Sequence, residues 1–128
     1  LKLAGRIIFK GAYANDDLPK YLAIADVFVR PSLSEGQGIS FLEAMAAGVP
    51  IIGTPVGGIP DFLIDGETGL FCQVNNPQSI AEKVNILLSD KQLAEKLTAN
   101  ALRLVKEKYD WDFIAKKYAE TFNCYSGF

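Results

Sequence analysis

"ADVFVRPSLSEGQGISFLEAMAAGVPIIGT", residues 25–54, reads as strand, loop, helix, turn and strand, and that order decides the fold. Its flanks, "DVFVRPS" (26–32) and "VPIIGT" (49–54), are short runs of Val, Phe and Ile bounded by Asp, Pro, Ser and Gly, the pattern of strands buried on both faces. Between them, Ile39, Phe41, Leu42, Met45 and Ala46 cover most of the circumference of a helix. Gly48 supplies a positive-φ stop, and Pro50 enters the next strand at its first position, where a missing N–H is tolerated.

The same alternation extends in both directions. "RIIFKG" (6–11) and "GLFCQV" (69–74) are two more apolar runs of strand length. Between the runs at 6–11 and 26–30, "NDDLPKYLAIA" offers Asn15 as an N-cap, Asp16 and Asp17 at the positive end of the helix, and Leu18, Leu22 and Ala25 at helical spacing. "VGGIPDFLIDGETG" (56–69) holds only a short helical segment between glycine-rich turns, where Asp61 and Asp65 read as turn and cap residues. Beyond residue 74 the pattern is helical: one helix starts at Asn76 and Pro77, a second runs from about 91 to 107, and Asp110 caps a third through "WDFIAKKYAETF". The predicted fold is α/β: an incomplete doubly wound, Rossmann-like parallel sheet of about four strands with three C-terminal helices.

Composition narrows the function. A chain of 128 residues is single-domain size and buries roughly two-thirds of its unfolded surface. With 49% hydrophobic and 22% charged residues it is neither disordered nor fibrous. A net charge of -2, with lysines mixed among glutamates toward the C-terminus, gives no general attraction for nucleic acid or an anionic membrane. Histidine is absent, which removes His-based triads, bases and zinc sites from this chain. Cys72 and Cys124 lack metal-like spacing and read as reduced thiols. No run reaches the ~20 apolar residues of a membrane span, and the first residues do not form a secretory signal, so the expected location is cytoplasmic.

The chemistry concentrates in "SEGQGISFLEAMAAG" (34–48), which follows the strand at 26–30 at the place where open parallel sheets bind ligands. A helix start offers free N–H groups and partial positive charge to a phosphate, and Gly36 and Gly38 put no side chain in its way. At helical pitch Glu35 and Glu43 stand up to ~12 Å apart along the axis. That exceeds the ~5–9.5 Å of a paired acid/base on one bond. It suits a longer ligand with hydroxyls at both ends and a diphosphate between them. Spacing alone also fits two acidic residues placed in the favourable field of a helix start, with no ligand at all.

The run at residues 25–74 resembles the retaining glycosyltransferases of the GT-B fold, family 4, also called group 1. The resemblance rests on "PS" (31–32), the E-x7-E pair Glu35 and Glu43, "LEAMAAGVP" (42–50), "TPVGGIPD" (54–61) and "DGETG" (65–69), in order and at family spacing. It implies that Glu43 binds ribose hydroxyls and Glu35 donor-sugar hydroxyls. Backbone amides of Gly36, Gln37 and Gly38 would hold the sugar, and those of Gly38 and Ile39 the distal phosphate. Tyr13 is a candidate for base contact, its alternative being an exposed turn tyrosine. Gly57 and Gly58 would shape a turn facing the cleft, and Trp111 would anchor helix packing.

By the same resemblance, residues 1–128 are the C-terminal, nucleotide-sugar-binding domain of such an enzyme, without its first two strands and without the N-terminal acceptor domain. The partner is a nucleoside-diphosphate sugar, with no metal or other cofactor, and no catalytic residue is assigned in this chain. Other readings of the fold are a nucleotide-sugar epimerase or phosphorylase, and a non-catalytic binding or interaction module. If two strands are missing from a 3-2-1-4-5-6 sheet, either the run at 6–11 pairs directly with that at 26–30, or an open edge pairs with a second copy.

Overall fold

A computed structural model describes residues 3, 5–12 and 14–125. Three strands, β1 (Phe28–Arg30), β2 (Ile51–Gly53) and β3 (Leu70–Phe71), form a parallel sheet in the order β1-β2-β3. Phe28 stands opposite Ile51, Arg30 opposite Gly53, and Ile52 opposite Leu70. Helices α1 (Leu18–Leu22), α2 (Ile39–Ala46), α3 (Pro77–Ser89), α4 (Lys91–Lys108) and α5 (Trp111–Tyr125) connect and follow the strands.

Side chains alternate across a strand, so neighbouring residues of β2 enter different cores. Ile51 packs with Leu22, Phe41, Met45 and Phe62 on one face, and Ile52 with Leu70, Leu87 and Leu97 on the other. Both are completely buried, which is why this strand reads as a continuous apolar run rather than an alternating one. Phe41 of α2 lies edge-on to Phe28 of β1 at 5.3 Å and tilted against Phe62 at 5.8 Å, and Phe62 in turn meets Tyr109 at 6.4 Å. This row of rings fixes α2 against the sheet; cutting Phe41 to alanine would cost about 3–5 kcal/mol.

The helix starts follow local chemistry. The Asn76 side chain accepts from the Ser79 N–H at 3.0 Å, with Pro77 as the first helical residue of α3. Asp90 does the same for α4 through Leu93 at 2.9 Å, and Asp110 accepts from the Asp112 N–H at 2.9 Å ahead of α5. Each such cap contributes about 1 kcal/mol. Asp65 shapes its turn as expected, its carboxylate accepting from the Phe71 N–H at 2.7 Å. Asp61 closes a 3₁₀ turn, Ile59–Asp61, which is the short helical segment anticipated between the glycine turns.

Three expectations need correction. Among the described residues the run at 6–11 is not a strand, and the sheet has three strands rather than about four. Ile7, Ile8 and Phe9 are 55%, 75% and 91% exposed, and among the described residues no strand lies on the far side of β1. Direct pairing of 6–11 with β1 is therefore overturned: β-propensity forms a strand only where a neighbour supplies hydrogen bonds. The first helix begins at Leu18, not after an Asn15 cap, because Pro19 lacks an N–H and fits only the opening turn; Asn15–Asp17 form a 3₁₀ turn before it. Trp111 is 81% exposed, so it anchors no helix packing among the described residues.

Candidate functional site

β1 ends at Arg30, and residues 31–38 carry the chain from the carboxyl end of the sheet to the start of α2. This loop is held from three sides. Thr54, fully buried just beyond β2, donates its hydroxyl to the Ser32 carbonyl at 2.5 Å. The Gly58 N–H donates to the Gly36 carbonyl at 3.0 Å. Arg30 forks: one guanidinium nitrogen pairs with Glu35 Oε2 at 2.9 Å, and the other donates to the Ser40 hydroxyl on α2 at 2.6 Å. The Ser32 hydroxyl donates to the same Glu35 oxygen at 3.0 Å.

The glycines of this region have different reasons to be glycine. A Cβ on Gly57 would overlap the Glu35 carbonyl oxygen, and one on Gly58 would stand 2.6 Å from the Gly36 oxygen. Both contacts are with backbone, which cannot swing aside, so the two glycines permit the loop to lie where it does. Gly38 has a φ of 73°, and its Cβ would press on the rings of Phe41 and Phe62 at 3.2 Å. Gly36 differs: a Cβ there would meet nothing within 4 Å, and its φ lies outside the left-handed range. Nothing in the described chain demands glycine at 36.

Gly38 is the N-cap of α2 and offers no side chain to the helix end. Among the described residues none accepts from the N–H groups of Gly38, Ile39 or Ser40. Ile39 stands at the helix start, 62% exposed, and Gln37 is exposed beside it. These amides, with the helix field behind them, are suited to an anion.

The two glutamates are not equivalent. The side chain of Glu35 is 13% exposed, and both of its internal contacts fall on Oε2. Glu43 is exposed on the second turn of α2 and has no hydrogen-bond or ion-pair partner among the described residues. It borders two grooves, one shared with Leu18, Pro19 and Leu22, the other with Gln37, Tyr109 and Trp111. Burial, and then the charge of Asp61, push the Tyr109 phenol above its ordinary range. Cys72 is buried on the opposite face, where burial likewise raises its thiol, so it has the character of a structural cysteine.

Glu35, Gly36, Gln37 and Gly38 lie in the loop before α2, Ile39 at its start and Glu43 on its second turn, and Gln37, Ile39 and Glu43 line one groove. Tyr13 lies outside the described residues. Among those described, no three His, Cys, Asp or Glu side chains come together to hold a metal ion, and no helix is long and apolar enough to cross a membrane. Sequence reasoning missed Arg30, Ser32 and Thr54. Gly57 and Gly58, expected to shape a turn, lie against the backbone of Glu35 and Gly36 and brace that loop. Ser32, Thr54 and the glycine pair were within the quoted motifs; Arg30 carried no signal.

A parallel sheet whose strand-end loop leads into a helix start is the architecture of a doubly wound α/β domain. The chain belongs to the family described as glycosyl transferases group 1, whose model matches residues 1–104. It is 42% identical over 120 residues to the uncharacterized glycosyltransferase MJ1607 of Methanocaldococcus jannaschii, covering 94% of this chain and 30% of that protein. It is 37% identical over 125 residues to the GDP-mannose-dependent alpha-(1-6)-phosphatidylinositol monomannoside mannosyltransferase of Mycobacterium tuberculosis, covering 92% of this chain and 32% of the relative. The crystal structure of Anabaena Alr3699/HepE in complex with UDP and glucose superposes with a TM-score of 0.88 at 27% identity, over 95% of this chain and 33% of that one. The sheet and helices are therefore those of the C-terminal Rossmann-like domain of a GT-B protein, and the chain spans roughly a third of the relatives' length.

Proposed function

We propose that residues 1–128 are the donor-binding domain of a retaining glycosyltransferase that moves a hexose from a nucleoside-diphosphate sugar to an acceptor held by a separate domain. The observation that carries this reading is the start of α2, where the Gly38, Ile39 and Ser40 amides have no acceptor among the described residues, behind an open Gly36 and between two glutamates. In this reading the diphosphate sits at that helix start, Glu43 accepts from the ribose hydroxyls, and Glu35 accepts from hydroxyls of the sugar through Oε1, which has no donor among the described residues. Backbone at Gly36, Gln37 and Gly38 lines the sugar, and Tyr13 is assigned to the base.

As the sugar leaves, charge builds on the diphosphate, and amides already aimed at it stabilise that charge without reorganising. This reading uses no metal ion, since the helix start itself meets the anion. The chain contributes donor binding and leaving-group stabilisation; transfer requires the acceptor domain as well, so the 128 residues alone are expected to be inactive. The base is left to experiment, because one relative is named for GDP-mannose and one structural neighbour holds UDP.

Calorimetric titration of UDP-glucose and GDP-mannose into the chain tests the reading. One of the two is expected to bind, and Glu43→Ala is expected to weaken it about tenfold, the loss of a charged hydrogen-bond acceptor. Absence of binding by both sugars, or equal binding by Glu43→Ala, would overturn it.

A further inference from the structure

We infer that Arg30 is a positioning residue for the donor sugar, acting through Glu35. Its guanidinium reaches two elements at once, Glu35 Oε2 in the loop at 2.9 Å and Ser40 in the first turn of α2 at 2.6 Å. With the Ser32 hydroxyl on the same oxygen at 3.0 Å, Oε2 is occupied by two donors among the described residues, which leave Oε1 to accept from a ligand. A free glutamate samples many rotamers, and ordering it on binding costs affinity; Arg30 removes that cost by fixing the carboxylate relative to the helix that holds the diphosphate.

The pair is asymmetric. The Arg30 side chain is 45% exposed and that of Glu35 13%, so the arginine holds a largely buried carboxylate from the solvent side. The arginine's planar fork matches two separate partners in fixed directions, which the point charge of a lysine does not. The consequence is specific to the sugar: a ligand without one has nothing to place against Glu35.

This inference rests on the assignment of Glu35 to the sugar, and a double-mutant cycle separates the two. The full chain and its Arg30→Met, Glu35→Gln and doubly substituted forms are titrated with whichever of UDP-glucose and GDP-mannose binds, and with free UDP or GDP to match. Arg30→Met is expected to weaken the nucleotide sugar about tenfold and leave the free nucleotide within about twofold. In the Glu35→Gln background the same substitution is expected to add less than about twofold, because the route through Glu35 is already lost. Ser32→Ala, which removes the other donor to Oε2 without touching β1, is expected to weaken the nucleotide sugar in the same direction.

Arg30→Met and Ser32→Ala binding the nucleotide sugar like the wild type, while Glu35→Gln does not, would overturn the role of Arg30 alone. So would an equal loss for sugar-bearing and free nucleotide, or an undiminished effect of Arg30→Met in the Glu35→Gln background. Wild-type affinity in Glu35→Gln would overturn the sugar assignment itself.

Discussion

Gly57 is pressed so closely against the backbone of Glu35 that a Cβ at position 57 would overlap the Glu35 carbonyl oxygen. The placement of one glutamate in the candidate site is thus set by a residue twenty-two positions later, in the connection between β2 and β3. Gly57→Ala combines that overlap with a φ of 55°, which L side chains disfavour. It should destabilise the fold by about 2–3 kcal/mol, measured by urea unfolding. A stability change below about 0.5 kcal/mol would show that the loop moves freely.

Gly36→Ala should behave in the opposite way. The added methyl meets nothing within 4 Å, so stability should stay within about 0.5 kcal/mol of the wild type. Affinity for the nucleotide sugar should fall, because the methyl occupies the approach to the helix start. Unchanged affinity by calorimetry would mean that the ligand does not pass over Gly36.

Thr54→Val removes the hydroxyl that satisfies the Ser32 carbonyl while keeping the shape of the side chain. Leaving that carbonyl unpaired should cost about 1–3 kcal/mol. Hydrogen exchange should show faster opening of the loop at residues 31–38, and exchange unchanged there would contradict its anchoring by Thr54.

Stability should fall on the alkaline side. The folded chain holds the Cys72 thiol and the Tyr109 phenol above their ordinary ranges, so both stay protonated to higher pH than in the unfolded chain. Their contribution is fully present below the unfolded values of about 8.5 and about 10 and is lost as pH rises past them through the folded values, because the unfolded state releases its protons first. Thermal melts between about pH 7 and pH 11 should show a declining midpoint, and Tyr109→Phe should flatten the upper part of the decline. A flat wild-type profile would contradict the burial of these groups.

The βαβ core was legible because its signals are local: apolar runs bounded by Pro, Ser and Gly, a helix closed by Gly48, and a cap at Asn76. The run at 6–11 carries equally strong local signals and forms no strand, since a strand also needs a neighbour and sequence does not reveal whether one is present. Trp111 shows the same limit, because an aromatic side chain does not fix its own burial. In the site, spacing treated Glu35 and Glu43 alike, whereas the fold engages one with Arg30 and Ser32 and gives the other no partner among the described residues. That difference arises from contacts between β1, the loop and α2, which no periodicity encodes. The bracing by Thr54, Gly57 and Gly58 is longer-range still.

The central claim, that the start of α2 receives the diphosphate of a nucleotide sugar with Glu43 on its ribose, is tested most directly by following the backbone amides of the ¹⁵N-labelled chain in an NMR titration with UDP-glucose and with GDP-mannose. The account predicts that one of these ligands shifts the amides of Gly36, Gln37, Gly38, Ile39 and Ser40 together, with one dissociation constant that Glu43→Ala raises about tenfold. Shifts confined to other parts of the chain, or no shifts with either ligand, would contradict it.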